Sequence, residues 1–142
     1  MSLELVIHTD GACLGNPGPA GIGVVIERNG KILQEISKPI GSATNNIAEY
    51  TALIFGLQEA LVLKADKVSF FTDSELVYYQ VTGSYKVKNE KIKTLHDQVK
   101  QLIRGFRSFQ IQCVPREQNE GADRLASEAV KNKTNQDGCL SV

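Results

Sequence analysis

The sequence predicts a single α/β domain, a five-stranded mixed sheet flanked by about four helices. Three observations predict it. Short runs of alternating apolar and polar residues recur between Gly-, Pro- and Asn-rich turns. Longer segments with a helical apolar period separate the later runs. The resulting order, β-β-β-α-β-α-α-β-α, joins the first three strands by tight turns and the later ones by helical crossovers. Turns of that kind make antiparallel neighbours and crossovers make parallel ones, so three antiparallel strands precede a parallel part.

Leu3 to Thr9 reads as the first strand, and Asp10 to Pro19 as a turn-rich stretch that includes Cys13. Ala20 to Arg28 is the second strand. Asn29-Gly30 is a strong hairpin signal, and Lys31 to Lys38 is the third strand. From Asn46 to Leu63 the pattern becomes helical, with Leu53, Ile54, Leu57 and Leu61 on one face. Lys67 to Thr72 is a strand, followed by helices over Glu75 to Val81 and Glu90 to Ile103; the latter is marked by Ile92, Leu95, Val99 and Leu102. Ser108 to Val114 is the last strand and Glu120 to Lys131 the last helix. This divides the chain into a domain over 1–131 and a polar C-terminal tail over 132–142.

Composition excludes several classes. Hydrophobic residues make up 42% and charged residues 23%, a globular balance without a disorder signature. No apolar run approaches the roughly 20 residues needed to span a bilayer, and no basic-then-apolar signal segment opens the chain. A cytoplasmic monomer is the expectation, which leaves the glycosylation-like Asn132-Lys-Thr134 without meaning. Three cysteines without tight spacing make neither a disulfide framework nor a zinc site, and a bridge from Cys139 to Cys13 or Cys113 is disfavoured in a reducing compartment. Lys plus Arg equals Asp plus Glu at 16 each, so bulk electrostatics cannot be the grip on a nucleic acid.

Four acids stand out. Two strands end alike, in Thr9-Asp10-Gly11 and Thr72-Asp73-Ser74, and parallel pairing would bring both aspartates to the carboxyl edge of the sheet, where open α/β folds place their sites. Taken alone, each is an ordinary turn-former or helix cap. Glu49 precedes Leu53 and Leu57 by four and eight residues, which turns its carboxylate toward the sheet. Asp123 heads a similar stripe through Ala126 and Val130. An acid in the first turn benefits from the helix dipole, but that does not explain one facing inward. Converging carboxylates repel one another unless cations sit among them. An all-oxygen set suits magnesium, and a pair of such ions about 3.5–4 Å apart serves phosphodiester cleavage.

The residues around these acids resemble the type 1 ribonuclease H family. Thr9-Asp-Gly-Ala-Cys-Leu-Gly-Asn-Pro-Gly-Pro19, Thr44-Asn-Asn-Ile-Ala-Glu-Tyr50, Thr72-Asp-Ser-Glu-Leu76 and Asn119-Glu-Gly-Ala-Asp-Arg-Leu-Ala126 are similar to its four motifs, in family order, and the likeness runs from about residue 3 to residue 131. The resemblance implies a ribonuclease H-like fold and an endonuclease that cuts the RNA strand of RNA–DNA hybrids, leaving 5′-phosphate and 3′-hydroxyl ends. It implies that Asp10, Glu49, Asp73 and Asp123 hold two Mg2+ ions with substrate, with Mn2+ as a substitute. It also implies that Cys13 (through its backbone), Asn16, Asn45 and Glu75 line the minor groove of the hybrid, where ribose 2′-hydroxyls distinguish RNA from DNA. Thr44 and Asn89 match positions that hold a phosphate of the DNA strand. Read without the family, Asn16-Pro-Gly is an ordinary turn, and Asn45 or Asn46 merely caps the long helix.

Four differences from the family pattern are visible. The loop before the last helix, Val114-Pro-Arg-Glu-Gln-Asn119, lacks the histidine that many members carry, leaving Arg116 or Glu117 as candidates to replace it. His8, in a strand, and His96, on a helix, read as structural. The basic, tryptophan-containing protrusion of many members is reduced to Gly83-Ser-Tyr-Lys-Val-Lys-Asn89, a short form that predicts weak, salt-sensitive binding. Glu75 stands where many members have glutamine, and a carboxylate accepts hydrogen bonds without donating. Ser42 falls where some members place an arginine. Two other readings remain open at this point: a non-catalytic binder of hybrids or double-stranded RNA, and another nuclease of the wider fold, such as a resolvase or transposase core.

Overall fold

The computed structural model describes residues 3–140, with side chains through Lys131. Its elements are β1 (Glu4–Cys13), β2 (Gly18–Arg28), β3 (Lys31–Ala43), α1 (Asn45–Val62), β4 (Lys67–Thr72), α2 (Glu75–Val81), α3 (Glu90–Ile103), β5 (Ser108–Cys113) and α4 (Glu120–Leu140), with a 3-10 turn over Arg116–Gln118. The sheet order is β3-β2-β1-β4-β5. β1 to β3 pair antiparallel, and β1 with β4 and β4 with β5 pair parallel. This is the mixed sheet that the connection types predict.

Alternation along β2 assigns its two faces. Ile22, Val24 and Ile26 are fully buried, and Val24 and Ile26 share a core with Leu53 and Leu57 of α1 and with Ile7 and Phe70. Val25 points the other way, against Ala122 and Leu125 of α4. Successive side chains of a strand alternate faces, so α1 and α4 cover opposite sides of the sheet. Gly23 explains how closely α4 approaches. A methyl group there would lie 2.1 Å from the Ala122 carbonyl oxygen, so only glycine lets the helix settle.

Three boundaries differ from expectation. β1 continues through Cys13 instead of stopping at Thr9, because Asp10 to Cys13 pair with Ala20 to Gly23, and the Leu14 N–H closes the hairpin on the Pro19 carbonyl. The turn is therefore confined to the four residues between β1 and β2. β3 runs to Ala43 rather than Lys38, accommodated by register shifts at Ala20/Gly21 and Ile26/Glu27. α4 runs to Leu140, past the predicted end at Lys131, since no proline interrupts 132–140. The side chain of Cys139, and with it the disfavoured bridge, lies outside the described residues; Cys13 and Cys113 are free thiols. No helix among the described residues is long and apolar enough to cross a membrane.

Candidate active site

The parallel register builds the first half of the site. β1 pairs with β4 from Glu4↔Lys67 to His8↔Phe71, so Asp10 and Asp73 each lie two residues beyond the last matched pair. β1 goes on pairing with β2 through Asp10↔Gly23, whereas β4 ends at Thr72 and gives way to Ser74, the N-cap of α2. Asp10 thus rests in a rigid strand and is almost fully buried, while Asp73 sits on the short strand-to-helix bend.

Glu49 comes from the first turns of α1. Its Oε1 accepts a hydrogen bond from the Gly11 N–H. That contact requires glycine at position 11, where a methyl group would lie 2.4 Å from the Ala48 carbonyl carbon. The result is a three-carboxylate cluster in which Asp10, Glu49 and Asp73 each offer an oxygen within 4.8 Å of the others. Asp123, from α4, lines the same cleft of about 790 Å³ beside Asp10, whose carboxyl it helps to raise, and its Oδ1 accepts from the Arg116 guanidinium at 3.1 Å.

The electrostatic consequence is large. Burial, and then the Glu49 and Asp73 charges, push the Asp10 carboxyl up to about 10. Burial raises Glu49 to about 7, partly offset by its hydrogen bonds from Asp10 and from the Gly11 N–H. The two acids behave as a pair that shares a proton, carried mainly by Asp10. An all-carboxylate donor set of this compactness fits a hard divalent cation, whose charge would replace that proton.

The remaining predicted residues fall into two groups. Cys13, Asn45, Glu75 and Arg116 line the acidic cleft. Asn16, Thr44 and Asn89 line a neighbouring groove together with Lys91. The cap of α1 is Thr44, whose Oγ1 accepts from the Ile47 N–H, and neither Asn45 nor Asn46 is the cap. Asn89 caps α3 in the same way, accepting from the Ile92 N–H. Of the two candidates for the missing histidine, Arg116 faces the acids, while Glu117 lines a separate depression beside His8. His8 stacks on Phe71, and His96 is buried and bonds the Gln80 carbonyl oxygen, both structural placements.

One residue near the acids escaped the sequence reading. Asn119 is 1% exposed and its Nδ2 donates to the Thr9 carbonyl oxygen at 2.9 Å and to Asp73 at 3.5 Å, tying the start of α4 to both aspartate-bearing strands. In the sequence Asn119 opens the fourth motif and stands directly before a helix start, which a cap would explain as well.

A family model described as reverse transcriptase-like matches residues 8–129. The bifunctional protein Rv2228c of Mycobacterium tuberculosis is 42% identical over 130 residues, 90% of this chain and 36% of its own length. The crystal structure of RNase H1 from the archaeon Halobacterium salinarum superposes with a TM-score of 0.89 at 39% identity, covering 91% of this chain and 98% of that one. The chain belongs to the type 1 ribonuclease H family. A third ribonuclease H, LC11-RNase H1, was solved in complex with an RNA/DNA hybrid and superposes with a TM-score of 0.86 at 39% identity, over 92% of this chain and 99% of that one. This ribonuclease H chain spans only about a third of the mycobacterial relative's length.

Proposed function

We propose that this chain is a divalent-metal-dependent endonuclease that hydrolyses the RNA strand of RNA–DNA hybrids, leaving 5′-phosphate and 3′-hydroxyl ends. The observation that carries the proposal is the convergence of Asp10, Glu49 and Asp73, with Asp123 beside Asp10, in a chain of this family. Simple binding of a polyanion gains nothing from a repulsive acidic cluster, whereas phosphodiester hydrolysis does. A hybrid bound to a relative of 39% identity supports the substrate class.

Asp10, Glu49, Asp73 and Asp123 would hold two Mg2+ ions, or Mn2+ in their place. Bound there, the ions supply positive charge against the scissile phosphate and lower the pKa of the attacking water. The protein's own part is to surrender the proton shared by Asp10 and Glu49, to hold the four acids on rigid elements, and to place the nucleic acid. Arg116, paired with Asp123, stands as a cation at the cleft rim, in the place of the missing loop histidine. Thr44 and Asn89, at the starts of two helices facing one groove, receive a phosphate of the DNA strand. Asn16, Asn45, Glu75 and the Cys13 backbone contact the minor groove.

Zero net charge and the short 83–89 link make binding weak and salt-sensitive. We take the working form to be a cytoplasmic monomer. Among the described residues the exposed large apolar side chains are Leu14 in the β1–β2 turn, Ile32 and Leu33 on β3, Val62 at the end of α1 and Tyr85 in the α2–α3 link. The test is cleavage of end-labelled RNA–DNA, DNA–DNA and RNA–RNA duplexes with Mg2+, with Mn2+ and with chelator. Metal-dependent cutting of the hybrid's RNA strand alone is the expected result. Binding of the hybrid without cutting in either metal would overturn the enzyme reading.

A further inference from the structure

A primary amide has two ends of nearly equal shape, one accepting and one donating, and the end that meets a ligand is decided by what holds the other. Asn45 is the exposed first residue of α1, so packing does not decide its orientation. One hydrogen bond orients Asn45, and a second orients the neighbouring Asn16. The Cys13 thiol donates to Asn45 Oδ1 at 2.8 Å, and the Asn45 N–H donates to Asn16 Oδ1 at 3.0 Å. With both carboxamide oxygens engaged by protein, the NH2 groups of Asn45 and Asn16 are the ends left for a ligand. Burial raises the Cys13 thiol, which keeps it protonated and able to donate.

We propose that Cys13 is a positioning residue whose S–H, bonded to Asn45 Oδ1, fixes Asn45 as a hydrogen-bond donor to minor-groove acceptors of the nucleic acid. This deepens the hybrid-nuclease reading and rests on it. Cys13 and Asn45 line the cleft that holds the acids, so the fixed donor stands beside the reacting strand. Every base pair shows acceptors in the minor groove, purine N3 and pyrimidine O2, and the ribose 2′-hydroxyl accepts as well. A donor there engages any sequence. An amide turned the other way would set oxygen against oxygen. The side chain of Cys13 thereby gains a role beyond the backbone contact that family resemblance implies.

The test is steady-state cleavage of a hybrid by wild type, Cys13→Ala, Cys13→Ser, Asn45→Ala, Asn45→Asp and the Cys13→Ala/Asn45→Ala double variant. Losing one such bond should raise KM about fivefold with a smaller change in kcat. Cys13→Ser, which keeps an O–H donor, should recover most of that loss. The double variant should match Asn45→Ala alone, because both act through one contact. Asn45→Asp, which presents only acceptors, should raise KM more than Asn45→Ala, and it tests the donor assignment independently should Cys13→Ala fail to fold. An unchanged KM in Cys13→Ala, equal impairment in Cys13→Ser, additive losses in the double variant, or a wild-type KM in Asn45→Asp would each overturn the proposal. Wild-type protein that cuts no hybrid would overturn the parent reading instead, so the two failures are distinguishable.

Discussion

Two clefts lie side by side along the carboxyl ends of the strands, divided by the first turn of α1, and they meet opposite electrostatic demands. In the acidic cleft, carboxylates from β1, α1 and the β4–α2 bend crowd together, with no cation within hydrogen-bond reach of Asp10, Glu49 or Asp73 among the described side chains. Burial first, and then their mutual repulsion, raise the Asp10 and Glu49 carboxyls, so this cleft opposes folding. In the neighbouring groove two of the polar side chains already have partners. Thr44 and Asn89 cap two helices and stabilise the fold in doing so. One cleft needs a cation from outside, and the other offers helix starts that favour an anion. A nucleic acid bound across both would set a phosphate in the groove and its reacting strand over the acids. The lesson is that a site's contribution to stability need not match its contribution to chemistry.

The largest effect that can break this comparison comes from Asp10→Asn. Cleavage should fall on the order of a thousandfold or more, while the melting temperature of the metal-free protein rises because one repelling acid is gone. A melting temperature that drops, or near-normal cleavage, would refute the account of this cleft. The pH dependence of metal-free stability comes next. Both carboxyls are higher in the folded state than in the unfolded chain, so the folded state binds more protons, and stability is greatest below the ordinary carboxylate range. It should decline as pH rises through about 7 for Glu49 and on toward about 10 for Asp10. Saturating Mg2+ should flatten this slope in chemical denaturation, and a slope indifferent to metal would remove the acids as its cause.

Thr44→Ala and Asn89→Ala sharpen the other side. Each should cost about 1 kcal/mol of stability through the lost cap and raise KM for the hybrid with little change in kcat, an outcome opposite in sign on stability to Asp10→Asn. The smallest effects belong to the rim. Arg116→Ala should lower kcat several-fold while leaving stability within about 1 kcal/mol, as expected of so exposed an ion pair. Glu117→Ala, facing the other depression, should be close to silent in both. Silence of both variants in kcat would show that neither residue replaces the missing histidine.

The fold was largely legible because its signals are local. Alternation, helical period and the Asn29-Gly30 turn each depend on a few neighbouring residues, and they place six of the nine elements within about three residues of their ends. The long β1–β2 hairpin was not legible, since residues 10–19 carry turn-forming glycines and prolines whose strand pairing is set by β2 across the sheet. The extension of α4 was missed for a different reason, a polar run being equally compatible with a helix and with a tail. Within the site, Glu49 and Asp123 were legible as acids on faces that should have been apolar. The contacts of Asn119 and the thiol bond of Cys13 to Asn45 were not, because they join residues 110 and 32 positions apart.

By itself the sequence determined which acids are present, which face of its element each one takes, and the mixed topology that sends them to one sheet edge, since periodicity and connection length are properties of the chain alone. Only the tertiary structure decided that Asp10, Glu49 and Asp73 come within reach of one cation while Asp123, beside them, is held by Arg116, that Arg116 rather than Glu117 faces them, and that Thr44 rather than Asn45 caps α1. Those outcomes depend on strand register and on the close approach of α1 at Gly11 and α4 at Gly23. Differences of an ångström in packing, which no local pattern encodes, separate a ligand set from four unrelated carboxylates.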